Sequence, residues 1–249
     1  HAAARVHVMR ENASDPLAEF RRVNVDGTLH LAREAARANV RRFVFLSSIK
    51  VNGEVTSRGR PFTADDPPGP VDPYGISKNE AEQGLWQIGA QTGMDVVIIR
   101  PVLVYGAGVK GNFRSMIGWL REGVPLPLRA IHNKRSLVAL DNLVDLIMVC
   151  LRHPAATNQT FLVSDGDDLS TTELLRRACI ALNTPARLLP MPPRVLELIA
   201  RLAGKSDVAQ RLLGDLQVDI RKTIRLLDWT PPVDVQTALA RAVVTSPIL

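Results

Sequence analysis

Two short runs, RRFVFLSS closing on Ser47 and Ser48 and MDVVIIRP stopped by Pro101, are apolar at almost every position rather than at every second one. A strand with one wet face alternates. A strand apolar on both sides is covered on both, as in a parallel sheet held between helical layers. The stretch between the two runs supplies the crossover: it reads as a helix from about Pro73 to Thr92, preceded by a long loop, Val51 to Asp72, rich in Gly, Pro, Asp and Thr. Strand, helix and strand in that order place the chain in the α/β class, with a doubly wound parallel sheet.

Upstream, Asp15 and Pro16 give an N-cap and a first-turn proline, and a helical pattern runs from there to about Asn39. Phe20, Val23, Gly27, Leu31 and Ala35 recur at three and four and predict its packed face. A glycine in mid-helix is costly, so Gly27 predicts a close approach by another element. Downstream, residues 141–151 read as a helix and QTFLVSD as a last short strand. From Ser170 on the pattern is helical without strands, and LLPMPPRVLELIARLAGK reads as a turn into an amphipathic helix, too short and too interrupted by proline to span a bilayer. Trp86, Trp119 and Trp229 read as packing residues.

Composition excludes several classes. With 46% hydrophobic and 22% charged residues in 249, the chain can bury a core. The net charge of +6 is spread along the sequence rather than gathered in a basic arm, which argues against a nucleic-acid partner. Cys150 and Cys179 are too sparse for a disulfide framework or a zinc site and favour a reducing compartment. With no membrane-length apolar run, the chain reads as cytoplasmic and not inserted in a membrane.

The chemistry centres on Tyr74 and Lys78 in PYGISK. Four residues apart on a helix, the two side chains share a face. A phenol with an ordinary pKa of about 10 needs its anion stabilised to act near neutrality, and a neighbouring ammonium supplies that. Ser48, at the carboxyl end of a parallel strand where such sheets place ligands, can hold a substrate oxygen opposite the tyrosine.

These segments, with RVNVDGTLHLAREAA, VVIIRPVLVYGAG, KRSLVALDNLVDLI and DIRKTIRLLDWTPP, follow one another in an order that resembles the extended short-chain dehydrogenase/reductase family, in its nucleotide-sugar epimerase, dehydratase and ketoreductase branch. The resemblance implies a Rossmann-type cofactor part, residues 1–103 and 139–166, and a nucleotide-sugar part, 104–138 and 167–249. It implies NAD or NADP as cofactor, with Ala2, Ala3, Ala4, Arg5, Asn24, Ser47, Tyr74, Lys78 and Pro101 around it. It makes Ser48, Tyr74 and Lys78 catalytic. It assigns a UDP-linked sugar to Ser48, Tyr74, Asn112, Phe113, Arg135 and Arg211, the arginines suiting a diphosphate by charge and fork geometry. A homodimer through the helices carrying Asn24 and Tyr74 is implied in the same way.

Departures from the family pattern narrow the reaction. Dehydratases carry an Asp-Glu pair where this chain has Ile49 and Lys50, and an aliphatic side chain cannot exchange protons, so water elimination is excluded. Oxidation and reduction at sugar C4 remain, as in a 4-epimerase of surface polysaccharide synthesis or in a reductase of a UDP-4-keto-6-deoxy-N-acetylhexosamine. Leu103 stands where many epimerases have an asparagine. A non-catalytic dinucleotide-binding regulator on the same fold is the alternative of another class; the joint presence of Ser48, Tyr74 and Lys78 argues against it. A glycine-rich phosphate turn and the acidic residue that selects NAD over NADP are not found in residues 1–249. The resemblance therefore implies several dozen residues ahead of His1, and residues 1–249 by themselves are expected to bind cofactor weakly and to be inactive.

Overall fold

A computed structural model describes residues 1–6, 15–108 and 112–244. The two all-apolar runs form β1 (Arg42–Leu46) and β2 (Asp95–Pro101), parallel and in register from Arg42 opposite Asp95 to Leu46 opposite Ile99. On the other edge of β2 lies β5 (Gln159–Val163), again parallel, giving the order β1-β2-β5. His1 lies along the free edge of β1, its amino group donating to the Val44 carbonyl and its own carbonyl accepting from the Leu46 amide.

Period-two geometry sends alternate side chains to two separate cores. Phe43, Phe45, Val96 and Ile98 pack against α2 (Gly27–Arg37) and α3 (Pro73–Thr92). Val44, Val97, Ile99, Phe161 and Val163 pack against α5 (Leu140–Arg152) and the tail. Both faces are covered, which is why neither strand alternates in sequence. Asp72 caps α3 by accepting from the Gly75 amide at 2.7 Å, Pro73 occupies its first turn, and Gly93 ends it in the left-handed region at φ 74°.

The first helix starts as expected, with Asp15 accepting from the Ala18 amide at α1 (Pro16–Arg21). It then widens into a π-helical turn over Arg22–Asp26 before α2 begins. The wider turn takes an extra residue to come round. The buried positions are therefore Phe20, Asn24, Thr28 and Ala32, four apart, while Val23 and Leu31 are 39% and 44% exposed. The face expected through Val23, Gly27 and Leu31 is thus corrected. Gly27 is exposed, and an added Cβ would meet nothing closer than 3.9 Å, so no close approach explains it.

A second, two-stranded parallel sheet, β3 (Leu103–Tyr105) with β4 (Leu137–Ala139), was not expected; its strands are too short for a periodicity signal. It joins α4 (Asn112–Arg121), α6 (Thr171–Ala181) and α10 (Val235–Val244) in a further core around Tyr105, Ile117, Leu175 and Leu239. The tail also carries α7 (Pro193–Leu202), α8 (Ser206–Leu213) and α9 (Arg221–Leu227). It does not form one body: Leu216, Val218, Ile220, Leu227 and Trp229 return to the core of the main sheet, where the Trp229 indole donates to Asp145 at 2.7 Å. Trp86 is half-buried in the core against α3, whereas Trp119 is 52% exposed and not the packing residue expected.

Candidate active site

The carboxyl ends of β1 and β2 meet the first turns of α3, and Ser48, Tyr74 and Lys78 converge there. The Ser48 hydroxyl lies close enough to the Tyr74 phenol to oppose the rise in its pKa, and it accepts from the Lys50 amide at 3.3 Å. The Lys78 ammonium lies 6.0 Å from the centre of the Tyr74 ring and 4.4 Å from that of Phe45, and donates to the Leu46 carbonyl at 2.9 Å. Arg5 lies over Phe20, which in turn meets the Tyr74 ring edge-on at 6.0 Å.

Burial dominates both titrations. Desolvation pushes the Tyr74 phenol up to about 12, with Asp72 adding to the rise and the Ser48 hydroxyl opposing it. It pulls Lys78 down to about 8, opposed by the carboxylate of Glu82 one turn on. Without a further positive charge the phenol keeps its proton at neutral pH, so these three groups alone do not make a base.

Beneath them lies a network that single-sequence reasoning did not find. Arg100, near the end of β2, forks onto Glu82 of α3 with contacts of 3.0 and 2.6 Å. Ser47 donates to the same carboxylate at 2.5 Å, and Arg100 reaches the Asn52 side chain at 3.0 Å. Asn52 passes the connection on to the Thr63 carbonyl in the long loop. All four side chains are buried. The only sequence signals were a glutamate one turn beyond Lys78 and an arginine inside an otherwise apolar strand. Gly75 closes the arrangement: a Cβ there would stand 2.8 Å from the Lys50 carbonyl and 3.0 Å from the Asp72 carboxylate.

Several residues expected at ligands have partners within the protein. The Ser47 hydroxyl donates to Glu82 at 2.5 Å. Asn24 is fully buried; its amide accepts from the Arg5 backbone at 2.8 Å and donates to the Arg5 carbonyl and to Ser77, both at 3.0 Å. It can therefore reach a cofactor only by holding the turn that contains Arg5. Phe113 is a core residue packed on Tyr105 with 5.7 Å between ring centres, not a platform for a base. Asn112 begins α4, and its side chain lies outside the described residues. Pro101 is buried at the end of β2, whereas Ala2 and Ala3 are exposed and Ala4 half-exposed. Ile49 is buried in the main core, and Lys50 is taken up by Glu54 at 2.7 Å and by Asp72.

Arg135 sits between the chain at Leu169 and Leu216, with one guanidinium nitrogen donating to the Gly214 carbonyl at 3.0 Å. Desolvation lowers its pKa, Asp215 opposes, and the nearby Arg211 lowers it further. Two cations held within repulsion of each other suit an anion bridging them.

Lys78 also tests whether a dinucleotide fits. The residue is 1% exposed, and among the described residues the Leu46 carbonyl is its one hydrogen-bond acceptor. A group with three donors is thereby left able to take a vicinal diol such as a ribose presents. The residues present fit a nicotinamide nucleotide.

A parallel sheet with a serine, tyrosine and lysine gathered at its strand ends defines a Rossmann-type oxidoreductase. Residues 1–164 match the NAD dependent epimerase/dehydratase family, and the chain belongs to that family. It is 51% identical over 237 residues to a UDP-glucose 4-epimerase of Vibrio cholerae, covering 95% of this chain and 72% of the relative. An Escherichia coli O157:H7 protein named N-acetyl-alpha-D-glucosaminyl-diphospho-ditrans,octacis-undecaprenol 4-epimerase is 28% identical over 76% of this chain and 59% of its own. Among solved structures, UDP-glucuronic acid 4-epimerase from Bacillus cereus in complex with NAD superposes with a TM-score of 0.76 at 16% identity, over 95% of this chain and 71% of that one. RMD from Pseudomonas aeruginosa complexed with NADPH gives 0.78 at 19%, over 98% and 79%. At such identities these likenesses concern the fold.

Proposed function

We propose that this protein interconverts the C4 epimers of a UDP-linked sugar, using NAD or NADP. The observation that carries the chemistry is the convergence of Ser48, Tyr74 and Lys78 at the strand ends. The substrate class follows the Vibrio cholerae relative.

Tyr74 accepts the proton of the C4 hydroxyl, and Ser48 holds the same oxygen by a hydrogen bond. After the keto sugar has turned its other face, Tyr74 returns the proton. When bound, the nicotinamide nucleotide supplies the hydride chemistry. Lys78 binds the ribose diol, and the positive ring of an oxidised nicotinamide beside Tyr74 would supply the further charge that brings its pKa down from about 12. Arg135 and Arg211 take the diphosphate. Residues 1–103 and 139–166 hold the cofactor, and 104–138 with 167–249 take the nucleotide sugar. Val23 and Leu31, exposed on the first helix, support pairing of two copies through the helices bearing Asn24 and Tyr74.

The deciding experiment offers NAD(P) with UDP-glucose, UDP-N-acetylglucosamine and a UDP-4-keto-6-deoxy sugar in turn, read by NMR and nicotinamide absorbance. A second form carries a relative's glycine-rich segment joined ahead of His1. A C4 epimer formed without net NADH change supports this reading. Stoichiometric NAD(P)H loss on the keto sugar alone would replace it with a reductase.

A further inference from the structure

Between its bridge from Leu188 to Leu126 and its bridge from Leu216 to Arg135, the chain leaves the body of the protein as a hairpin of α7 and α8. At 100° per residue, Val195, Leu198, Ile199 and Leu202 fall on one arc of α7 about 100° wide. All four are exposed, Leu202 at 82%, and Val208 of α8 is exposed beside them. Leu196 and Ala200, on the other side of α7, are the residues half-buried against the protein. A core-facing amphipathic helix would show the reverse. A contiguous apolar arc in water marks an interaction surface.

Charge identifies the occupant. Arg194 and Arg201, seven residues apart, run together along one margin of the arc, and Lys205 stands at the tip of the hairpin. Among the described residues, no ion pair engages any of the three. Some surface arginines meet carboxylates, such as Arg21 with Glu80 and Arg177 with Glu173, and others, such as Arg33 and Arg152, are in no ion pair among the described residues; what sets Arg194 and Arg201 apart is that they flank an exposed apolar arc. Glu197 lies roughly 150° round the helix from the middle of the arc, and Asp207 is in the first turn of α8, where the helix end favours a negative charge.

A second copy of this face would set cations against cations, and a few side chains on one short helix fall well short of the ~800 Å² per partner of a stable dimer. A negatively charged lipid surface meets both features. The arc enters the acyl boundary while the two guanidiniums extend to the phosphates. Among the described residues no helix is long and apolar enough to cross a membrane, so the contact lies in the plane of the interface.

We propose that the α7–α8 hairpin docks this protein reversibly on an anionic lipid bilayer. The base of the hairpin is tied to the Arg135 segment: the Leu212 carbonyl accepts from Asn133 and Thr171, and the Gly214 carbonyl from Asn133 and Arg135. Docking therefore brings the Arg135 side of the protein to the headgroup layer, independently of which sugar reaction occurs there.

Co-sedimentation with phosphatidylcholine vesicles, with and without phosphatidylglycerol, tests this. The anionic vesicles should carry the protein down and the neutral ones much less, with binding weakened by salt. Joint replacement Leu198→Ser and Leu202→Ser should lower binding about tenfold or more, and Arg194→Gln or Arg201→Gln about fivefold each, all with an unchanged melting temperature. Absence of binding to anionic vesicles, or binding unaffected by the leucine variants, would overturn the proposal. So would a leucine variant that splits an oligomer in analytical ultracentrifugation while vesicle binding persists, which would assign the face to a second copy.

Discussion

At the strand ends, Ser47, Asn52, Glu82 and Arg100 are buried and tied by a continuous set of charge-assisted hydrogen bonds that joins the end of β1, β2, α3 and the long loop, with Lys78 buried beside them. Arg135, by contrast, is held by two backbone bridges and one bond to a carbonyl, with Asp215 attracting it and a second arginine, Arg211, repelling it. The Ser47, Asn52, Glu82 and Arg100 network is paired before any ligand arrives; around Arg135 two arginines face one carboxylate, Asp215, which leaves positive charge for a ligand. A proton-transfer site gains from groups fixed in place, because a small displacement costs rate. A diphosphate site can be assembled from segments far apart in sequence, because charge acts at longer range than orientation.

The contrast can be broken most sharply at Tyr74. Replacing it with Phe should lower C4 epimerisation by about 10²–10⁴-fold, measured by NMR, with KM little changed. Full activity would remove the tyrosine from the chemistry.

Arg100→Leu should cost about 3–5 kcal/mol in urea unfolding, because Glu82 is left buried without its partner. The double replacement Glu82→Leu with Arg100→Leu should recover much of that loss. Recovery of stability without recovery of turnover would show that the pair positions the site as well as filling it.

Lys78 gives a pH signature. Its folded pKa of about 8 lies below its ordinary value of 10.5, so the unfolded chain binds the extra proton between those values and stability from this group rises with pH there. The full span is on the order of 3 kcal/mol. Lys78→Met should flatten the rise in melting temperature between pH 8 and 10. Tyr74, raised from 10.0 to about 12, acts oppositely and only above pH 10, so the window separates the two.

The smallest effect belongs to the diphosphate side. Arg135→Ala should raise KM for the UDP-sugar about tenfold with kcat nearly unchanged, since a ground-state phosphate contact contributes to both states. A fall in kcat equal to that in kcat/KM would place Arg135 with the strand-end group instead.

Sequence reading succeeded where the deciding interactions are local. The span of α3 was legible because Asp72, Pro73 and Gly93 act within a turn of their own positions. The pairing of β1 with β2 was legible because burial on both faces abolishes alternation. Tyr74 and Lys78 were legible because four residues is a helical contact distance.

It failed where a neighbour far along the chain, or a single altered turn, made the choice. The π-helical turn at Arg22–Asp26 rotated the first helix and turned Val23 and Leu31 outward. Phe113 joined Tyr105 in a core, and Asn24 and Ser47 were taken up by Arg5, Ser77 and Glu82. The amphipathic pattern of α7 was plain in sequence, but periodicity states that a face is apolar and not what it meets. By itself, then, the sequence determined the α/β architecture and the shared helix face of Tyr74 and Lys78, because helix caps, strand burial and i,i+4 geometry are short-range. Only the tertiary structure decided which polar side chains were already paired and which apolar face stayed in water, because each depends on partners as far as 161 residues away, as Gln217 and Thr56 are.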